Sequence, residues 1–510
     1  MNKIFLPVIL IFFALSTFTV SHAQQQSDSL RLDSLFSSIA SYGQLNGNVL
    51  VAQMGRPIYQ RSFGFADYTR KIPNAPSSGF TLASISKLFT STAILQLAER
   101  GKLKLDEPVG NHLTGFPFQG ITIRHLLSHT SALPDYDLFD AQLKNDTSKV
   151  FTNADVIPAL IDWKNPLGFA PGAKWQYSNI NYCLLALIVE KCSGIPFRAY
   201  IERNIFKAAG MEHTYFADKG NKIDIRNKTV NHDYKDMFAL NVEDVEGIDR
   251  FRWRLHHMNG LEGQGNVVST TSDMLRFDQA LYTGLLLNAS SLLLAFTPTQ
   301  LSDGSLANAS IGLGKATFGL GWFILDDQRH GKIAFHTGGV PGAVTILLRN
   351  VDRRQTVMVF DNQFSVGVYK NGLNALRILN REKPVVVRQS VVRAFAKALM
   401  EKDIDAAFVK LMELKADSTH YTLSEDDLND FGLRLLYQAK FPAHEQFSLE
   451  VLRMNIIFFP SGFNTYDSYA EALAYLGRKQ DAIMMYRRSL ALNPNNLSGA
   501  SALKKLLEQL

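Results

Sequence analysis

The chain has 510 residues, of which 46% are hydrophobic and 20% are charged, and its formal net charge is +6. A single core ordinarily stops growing at roughly 250 to 300 residues, so this length predicts one large domain and a smaller one. The composition excludes a mostly disordered or fibrous protein, and the basic residues form no runs of the kind that bind nucleic acid.

The N-terminus has the layout of a secretory signal. Lys3 precedes an apolar run over residues 4–20, and a Ser-His-Ala segment ends at Ala23 before the polar Gln24. This order predicts a cleavable signal peptide over residues 1–23, although the run also approaches the ~18 residues that an uncleaved anchor needs. We expect an exported protein, periplasmic or secreted, with no membrane span in the mature chain.

Short β-type runs lie near both ends of the first 380 residues. Residues 48–53 and 57–63 flank a turn and predict a hairpin, while residues 332–335, 344–348 and 356–360 predict three further strands. The sequence between these groups is mostly helical in pattern. The simplest architecture is an α/β (α+β) fold, with an antiparallel sheet built from both ends of the domain and flanked by helices of a long insertion.

Ser84 begins the first long predicted helix after the hairpin, and Lys87 lies on the same helical face, three residues later. The lysine can therefore reach the serine hydroxyl and activate it as a nucleophile. The helix N-terminus leaves backbone N–H groups free, and that of Ser84 can face an oxyanion. Spacing alone is weak evidence, because Ser501 and Lys504 repeat it in the last predicted helix, where an ordinary solvent face is the simpler interpretation.

A second motif, Tyr177-Ser178-Asn179, lies in a turn before another predicted helix. A tyrosine whose pKa is lowered by Lys87 can shuttle protons for Ser84 and the leaving group. Asn179 can hold a substrate amide. Alone, the motif fits an ordinary turn with an asparagine cap.

The same helix contains both cysteines of the chain, Cys183 and Cys192, and ends at Gly194. Their separation along a helix is about 13 Å, which is beyond the reach of a disulfide. We expect two buried packing residues. Another pair, His125 and His129, has the spacing of a metal-binding helix, but no glutamate follows His125 and we predict no metal site.

Two later segments have open interpretations. Residues 218–260 have weak periodicity and form either a loop over the active site or a solvated surface excursion. Gly263-Gln264-Gly265 lacks the third glycine of a dinucleotide-binding loop, and we expect a turn on the substrate side.

The third motif begins at His336, which ends a predicted strand and is followed by Thr337, Gly338 and Gly339. Glycine lets the backbone approach a ligand closely. We expect His336, Thr337 and Gly338 to contact the substrate's polar end, and the N–H groups of Ser84 and Gly339 to form an oxyanion hole. The order of the three motifs favours a serine acyltransferase over three unrelated turns.

After about residue 381 the pattern is helical throughout. A helical linker is predicted over residues 381–426 and an all-α repeat domain over residues 427–510. The spacing of seven residues fits the roughly 34-residue tetratricopeptide repeat: Tyr466, Ala470, Leu473, Gly477, Ala482, Tyr486 and Pro494. An earlier unit has Gly432 as its small packing residue and ends at Pro460. It is about four residues longer than the standard repeat. Such a domain either binds a protein partner or stabilises the catalytic domain as a cap.

The three motifs together resemble the class C β-lactamases and the penicillin-binding D,D-peptidases and esterases that share their fold. The resemblance covers about residues 34–380. It includes three supporting segments: residues 121–134, 210–214 and 318–322.

This resemblance implies a β-lactamase/transpeptidase-like domain that uses neither metal nor cofactor. Ser84 would be the acylated nucleophile, Lys87 and Tyr177 the general-base pair, and Asn179 a substrate ligand. The chain departs from β-lactamases at His336, where those enzymes usually have lysine. An imidazole with an ordinary pKa near 6.5 is largely neutral at pH 7 and attracts a carboxylate less strongly.

The sequence therefore predicts an exported serine hydrolase that acts on a small-molecule or peptide substrate, preferably a D-amino-acid peptide. An esterase or a β-lactamase of the same fold is the nearest alternative. A different alternative is an inactive scaffold that works through its repeats.

Overall fold

The computed structural model describes residues 26–217, 227–311, 313–327 and 329–509, so the predicted signal peptide lies outside the described residues. The chain divides into two compact units. The first contains the residues up to Lys235 together with Val242–Val385. The second contains Asp236–Asn241 together with Val386–Leu510.

The strands, in chain order, are β1 Gly47–Gln53, β2 Arg56–Ser62, β3 Phe65–Asp67, β4 Ile72–Pro73, β5 Phe80–Thr81, β6 Tyr215–Phe216, β7 His232–Asp233, β8 Glu243–Asp244, β9 Val267–Ser269, β10 Asn308–Ser310, β11 Lys315–Phe318, β12 Phe323–Asp327, β13 Gly331–Val340, β14 Ala343–Asn350, β15 Gln355–Asp361, β16 Gln389–Ser390 and β17 Tyr421–Thr422.

The α-helices are α1 over residues 26–41, then α2 Lys87–Glu99, α3 Ile123–Leu127, α4 Asp140–Asn145, α5 Val156–Asp162, α6 Asn179–Ser193, α7 Phe197–Ile201, α8 Thr271–Tyr282, α9 Ala289–Ala295, α10 Val368–Leu379, α11 Val392–Glu401, α12 Ile404–Ala416, α13 Glu425–Tyr437, α14 His444–Phe458, α15 Phe463–Tyr475, α16 Lys479–Leu492 and α17 Leu497–Leu507.

One eight-stranded sheet organises the first unit, in the order β10-β11-β12-β13-β14-β15-β1-β2, and its ladders are antiparallel. The N-terminal hairpin joins the C-terminal strands because β1 pairs with β15, which places Gly47 opposite Asp361. The predicted architecture is confirmed: the sheet comes from both ends of the domain, and the long segment between β2 and β10 carries most of the first unit's helices.

Both faces of this sheet are covered by helices. Side chains alternate along a strand. Val49 and Val51 therefore pack on one face with residues of α1 and α10, while Leu50 and Ala52 pack on the other face with the inserted helices. Burial on both sides explains why β1, β14 and β15 read as nearly continuous apolar runs.

The second half of β13 is open along one edge. β12 pairs with β13 from Gly331 to Phe335, whereas β14 continues the pairing on the other side to Val340. The turn that precedes α2 packs at this open part, since a Cβ atom on Gly338 would lie 2.2 Å from the carbonyl oxygen of Leu82. The third motif therefore lies directly against the turn that bears the first.

The second unit is built mainly from helices α11–α17, whose buried residues form two clusters. The helix pairs α13–α14 and α15–α16 match the positions of the two predicted repeats, and Gly477 adopts φ +78° in the turn between the later pair. Gly432 packs against Leu452, as a small packing residue would. Their identity as tetratricopeptide repeats stays a prediction.

A short piece of the preceding sequence belongs to this second unit. The Phe238 ring packs at an angle against Phe431 and edge-to-face against Phe441, with ring centroids 5.9 and 5.7 Å away. Arg393 donates hydrogen bonds to the carbonyls of Met237 and Ala239. The helical unit is therefore completed by residues that come from far earlier in the chain.

In the described part of the chain no single helix is long and apolar enough to cross a bilayer. The segments Asn179–Ser193 and Phe197–Phe206 pass a test of length and composition only as a pair bent by 75°. Most residues of α6 are buried in the core of the first unit.

Candidate active site

Ser84 lies in a single 3-10 turn, Ala83–Ser86, and α2 begins at Lys87. The sequence predicted one helix from Ser84, so the structure corrects its first turn. Ala83 has φ +49°, a left-handed conformation that is rare for a residue with a Cβ atom, and it is 3% exposed. This turn leaves Ser84 partly exposed at the open edge of β13.

Lys87 is fully buried beside Ser84. Its Nζ lies 3.1 Å from Ser84 Oγ, 2.8 Å from Asn179 Oδ1 and 2.8 Å from the carbonyl oxygen of Gln264. A neutral amine has two N–H groups and one lone pair. It can therefore donate to Asn179 and Gln264 while its lone pair accepts the hydroxyl proton of Ser84.

Burial lowers the pKa of Lys87 to about 7. The negative charge of Asp135 opposes this change, and the positive charge of Arg254 adds to it. A substantial fraction of the lysine is then free base at neutral pH, as a general base requires.

The Tyr177 phenol interacts with the Ser84 hydroxyl, and the Lys87 Nζ lies 5.0 Å from the centre of its ring. Burial raises the pKa of Tyr177, although its contact with Ser84 acts in the opposite direction. The prediction that Lys87 lowers this pKa is wrong, because desolvation of the phenolate dominates. Tyr177 is a protonated phenol at neutral pH, which leaves Lys87 as the base of the predicted pair.

Asn179 is the first residue of α6 and joins Lys87 to Asp135. Its backbone N–H and its Nδ2 donate to the two carboxylate oxygens of Asp135, at 2.8 and 3.0 Å. Its Oδ1 accepts from Lys87, so this asparagine positions the base. Its predicted contact with a substrate amide stays a prediction.

His336 is 1% exposed, and burial lowers its pKa to about 3. Its Nδ1 lies 2.7 Å from the carbonyl oxygen of Thr337, and its ring packs 5.3 Å from that of Phe323. This shift has the direction that a neutral imidazole requires. Because side chains alternate along β13, Thr337 and Gly339 reach the exposed side while Gly338 is buried. The predicted substrate contacts of this motif and the predicted oxyanion hole stay predictions.

Three site residues had no predicted role in the chemistry: Asp135, the Gln264 carbonyl and His129. The ring of His129 stacks on that of Tyr177, with centroids 4.2 Å apart, and its Nδ1 lies 3.2 Å from the Ser178 backbone nitrogen. His129 and Gln264 lie in segments that the sequence singled out, and Asp135 directly follows one of those segments. Gln264 lies in the turn expected on the substrate side, but it contributes a backbone oxygen, which no residue type reveals.

The histidine pair of the predicted helix and the two cysteines make contacts other than metal ligation. Among the described residues, no three His, Cys, Asp and Glu side chains are arranged to hold an ion. His125 instead accepts the Thr122 N–H at the start of α3. Both cysteines are free: Cys183 is buried as predicted, whereas Cys192 is half-buried and lies 3.3 Å from His112.

Known proteins are similar to most of this chain. The family model described as Beta-lactamase matches residues 32–379. A penicillin-binding protein of Bacillus subtilis (strain 168) is 36% identical over 349 residues, which are 66% of this chain and 73% of that relative. The crystal structure of a penicillin binding protein from Bacillus halodurans matches with 28% identity and a TM-score of 0.57, covering 68% of this chain and 98% of that one.

A solved structure of the D-amino acid amidase from Ochrobactrum anthropi SV3 has the same fold. It is 21% identical, with a TM-score of 0.57, and the match covers 70% of this chain and 99% of that one.

Proposed function

Because this chain belongs to the Beta-lactamase family and is a serine hydrolase of that fold, we propose that it hydrolyses peptides ending in a D-amino acid through an acyl-enzyme on Ser84. The observation that carries the proposal is the contact between the Ser84 hydroxyl and a buried Lys87 whose pKa is about 7. A free amine at this position can remove the serine proton without the help of a metal or a cofactor.

Acylation follows from these contacts. The Ser84 proton passes to the Lys87 lone pair while Oγ bonds to the substrate carbonyl carbon, and the carbonyl π electrons become an oxyanion. The predicted hole, formed by the N–H groups of Ser84 and Gly339, binds that oxyanion. The C–N bond then breaks. Tyr177, as a protonated phenol next to Ser84, gives its proton to the leaving amine and recovers one from Lys87.

Deacylation reverses the roles of these groups. A water molecule attacks the acyl carbon and gives one proton to Lys87, and the ester bond to Ser84 breaks. Ser84 Oγ recovers a proton and the acid is released. Lys87 returns to its free-base form once that proton has been passed on.

The substrate class is supported by two facts. Two of the similar proteins are penicillin-binding proteins, and the third motif of this chain has a neutral His336 where β-lactamases usually have lysine. Hydrolysis of β-lactams is therefore the weaker alternative, and an esterase is the nearer one. An inactive scaffold would not need the Ser84–Lys87 contact.

The test is intact-protein mass spectrometry of the mature chain and of Ser84→Ala after incubation with a penicillin, with the drug measured in the same tube. An adduct on the wild type alone, together with release of D-alanine from a peptide ending in D-Ala-D-Ala, is the expected result. Loss of drug without a lasting adduct would favour a β-lactamase. No adduct and no cleavage of either compound would overturn the proposal and leave ester substrates.

The proposal also includes the location of the protein and the role of its helical unit. The Lys3 and Ala23 signal pattern supports secretion or a periplasmic location, where cell-wall peptides are found. Helices α13–α17 are proposed to bind a protein partner or to stabilise the enzyme, and their removal tests which of the two applies.

A further inference from the structure

The pairing of β13 with β14 determines where the Gly339 N–H points. The ladder ends with Val340 opposite Ala343, on either side of a two-residue turn. Residues that flank such a turn form a hydrogen-bonded pair, and pairs with and without hydrogen bonds alternate along an antiparallel ladder. The pair that contains Gly339 is therefore one without hydrogen bonds. Its N–H points away from β14, towards the open edge where the Ser84 turn packs.

Tyr369 holds the same peptide group from its other end. It is the second residue of α10, and its hydroxyl donates to the Gly338 carbonyl oxygen at 3.0 Å. This carbonyl and the Gly339 N–H belong to one planar trans peptide group, in which they point in opposite directions. A carbonyl that is held in place therefore also fixes the direction of the N–H.

The Tyr369 side chain is placed by the fold. It is half-buried and packs against the cluster that α10 shares with the sheet. A Cβ atom on Gly339 would lie 3.6 Å from its hydroxyl oxygen. Burial raises the pKa of Tyr369, although the Thr337 side chain acts in the opposite direction. The phenol is therefore protonated at neutral pH, as a hydrogen-bond donor must be.

A hydrogen bond to an amide carbonyl has a second effect on the N–H of the same peptide group. It draws charge from the nitrogen towards the oxygen, which makes the N–H a stronger donor. An oxyanion hole stabilises the transition state through donors whose direction is fixed before the reaction. The Tyr369 hydroxyl supplies both conditions to the Gly339 N–H.

We infer that Tyr369 is a positioning residue of the predicted oxyanion hole: it orients and polarises the Gly338–Gly339 peptide group, whose N–H stabilises the oxyanion formed on acylation of Ser84. The inference rests on the proposed acylation of Ser84 and is independent of the D-peptide substrate. Ester substrates therefore test it.

The experiment compares Tyr369→Phe with the wild type on 4-nitrophenyl acetate and on the corresponding thionoester, in which sulfur replaces the carbonyl oxygen. Phenylalanine keeps the ring and removes only the hydroxyl. Sulfur is a weak hydrogen-bond acceptor, so the thionoester gains little from the hole. Release of nitrophenol in the first turnover, with the Ser84→Ala rate subtracted, gives the acylation rate constant at saturating substrate and the concentration for half-maximal rate.

On the ester, we expect the maximal acylation rate constant of Tyr369→Phe to fall by about 5- to 30-fold, less than the ~10²- to 10³-fold loss that follows removal of a whole oxyanion-hole donor. The Gly339 N–H remains and loses only its support. The concentration for half-maximal rate should stay nearly the same. On the thionoester, we expect a fall of about 2-fold or less, because the sulfur depends little on that N–H.

Tyr466→Phe is the matched control. The Tyr466 hydroxyl also donates to a backbone carbonyl, that of Pro460 at 3.1 Å, and this tyrosine is half-buried in the second unit. Its loss should leave acylation by both esters at the wild-type rate.

Each other outcome has a distinct meaning. An unchanged ester rate in Tyr369→Phe, equal falls on the two esters, or a higher half-maximal concentration with the same maximal rate would overturn the role of Tyr369. Full acylation by Ser84→Ala would overturn the proposed function and this inference together. Uncut D-Ala-D-Ala peptides with a fall specific to the oxygen ester would support the role of Tyr369 and overturn only the D-peptide substrate.

Discussion

The pKa of Lys87 depends on the charges around it, and among these Asp135 has the largest effect. The proton leaves Lys87 as the pH rises through about 7, so acylation by a neutral ester should increase through that range and then level off. Asp135 stabilises the lysine cation, and Asp135→Asn should therefore lower the pKa of Lys87 further. We expect the midpoint of the acylation profile to move to lower pH by roughly one unit, measured by single-turnover kinetics.

Asp140→Asn is the control for this prediction. It removes an equal charge from an exposed residue five positions later in the chain and should leave the midpoint in place. A midpoint that stays fixed in Asp135→Asn, or that moves to higher pH, would show that another group governs the profile.

At the scale of single residues, the sequence could predict contacts between neighbours along the chain but not contacts between distant positions. Ser84 and Lys87 are three residues apart, so local spacing together with the two later motifs predicted their contact, although Ser84 lies in a 3-10 turn. The Gln264 carbonyl lies 177 positions from Lys87 and Asp135 lies 44 positions from Asn179, and no local pattern indicates such pairings. The direction of the Tyr177 pKa was missed for the same reason, because burial depends on the whole fold.

At the scale of the elements, β13 packs very closely against the turn that bears Ser84. A methyl group at Gly338 would lie 2.2 Å from both the Leu82 carbonyl oxygen and Thr345 Oγ1. Gly338→Ala should therefore force the strand and the turn apart, lower the free energy of unfolding by about 1–3 kcal/mol and reduce acylation. Urea unfolding and the rate of labelling at Ser84 measure the two effects.

Gly339→Ala is the control, because it replaces the neighbouring glycine by the same residue at a position with more space. Its Cβ atom would meet only the Tyr369 hydroxyl, at an ordinary 3.6 Å, so we expect nearly unchanged stability. Equal destabilisation by both substitutions would contradict the close approach at Gly338.

Helices and strands were predicted correctly where the hydrophobic pattern and the turn residues indicated the same boundaries. The hairpin and the three C-terminal strands followed from short β-type runs separated by turn residues, and the C-terminus of α6 followed from Gly194, which has φ +75°. The prediction of an α-helical first turn at Ser84 was wrong because Ala83 has a left-handed conformation. Contacts with β13 favour that conformation, and the intrinsic preference of the sequence does not.

At the scale of the whole molecule, the second unit depends on a distant segment. Phe238 is 9% exposed and packs against the core of helices α11 and α13. Phe238→Ala should lower the free energy of unfolding of this unit by about 3 kcal/mol. The four tryptophans, Trp163, Trp175, Trp253 and Trp322, all lie in the first unit, so far-UV circular dichroism reports the loss of helix while tryptophan fluorescence follows the first unit.

Leu240→Ala is the matched variant, because Leu240 lies in the same segment and is 39% exposed. It should change stability by no more than about 0.5 kcal/mol. If the two variants unfold alike, Phe238 does not support the helical unit.

The divided second unit also imposes an order on biosynthesis. The ribosome completes Asp236–Asn241 more than a hundred residues before Val386, and synthesis proceeds at about 5–20 residues per second. Phe238 is therefore without its helical partners for roughly 10 to 40 seconds. A premature stop codon near residue 385 would leave it without them permanently, so such a truncated chain would be a target for quality-control proteases even with every catalytic residue present.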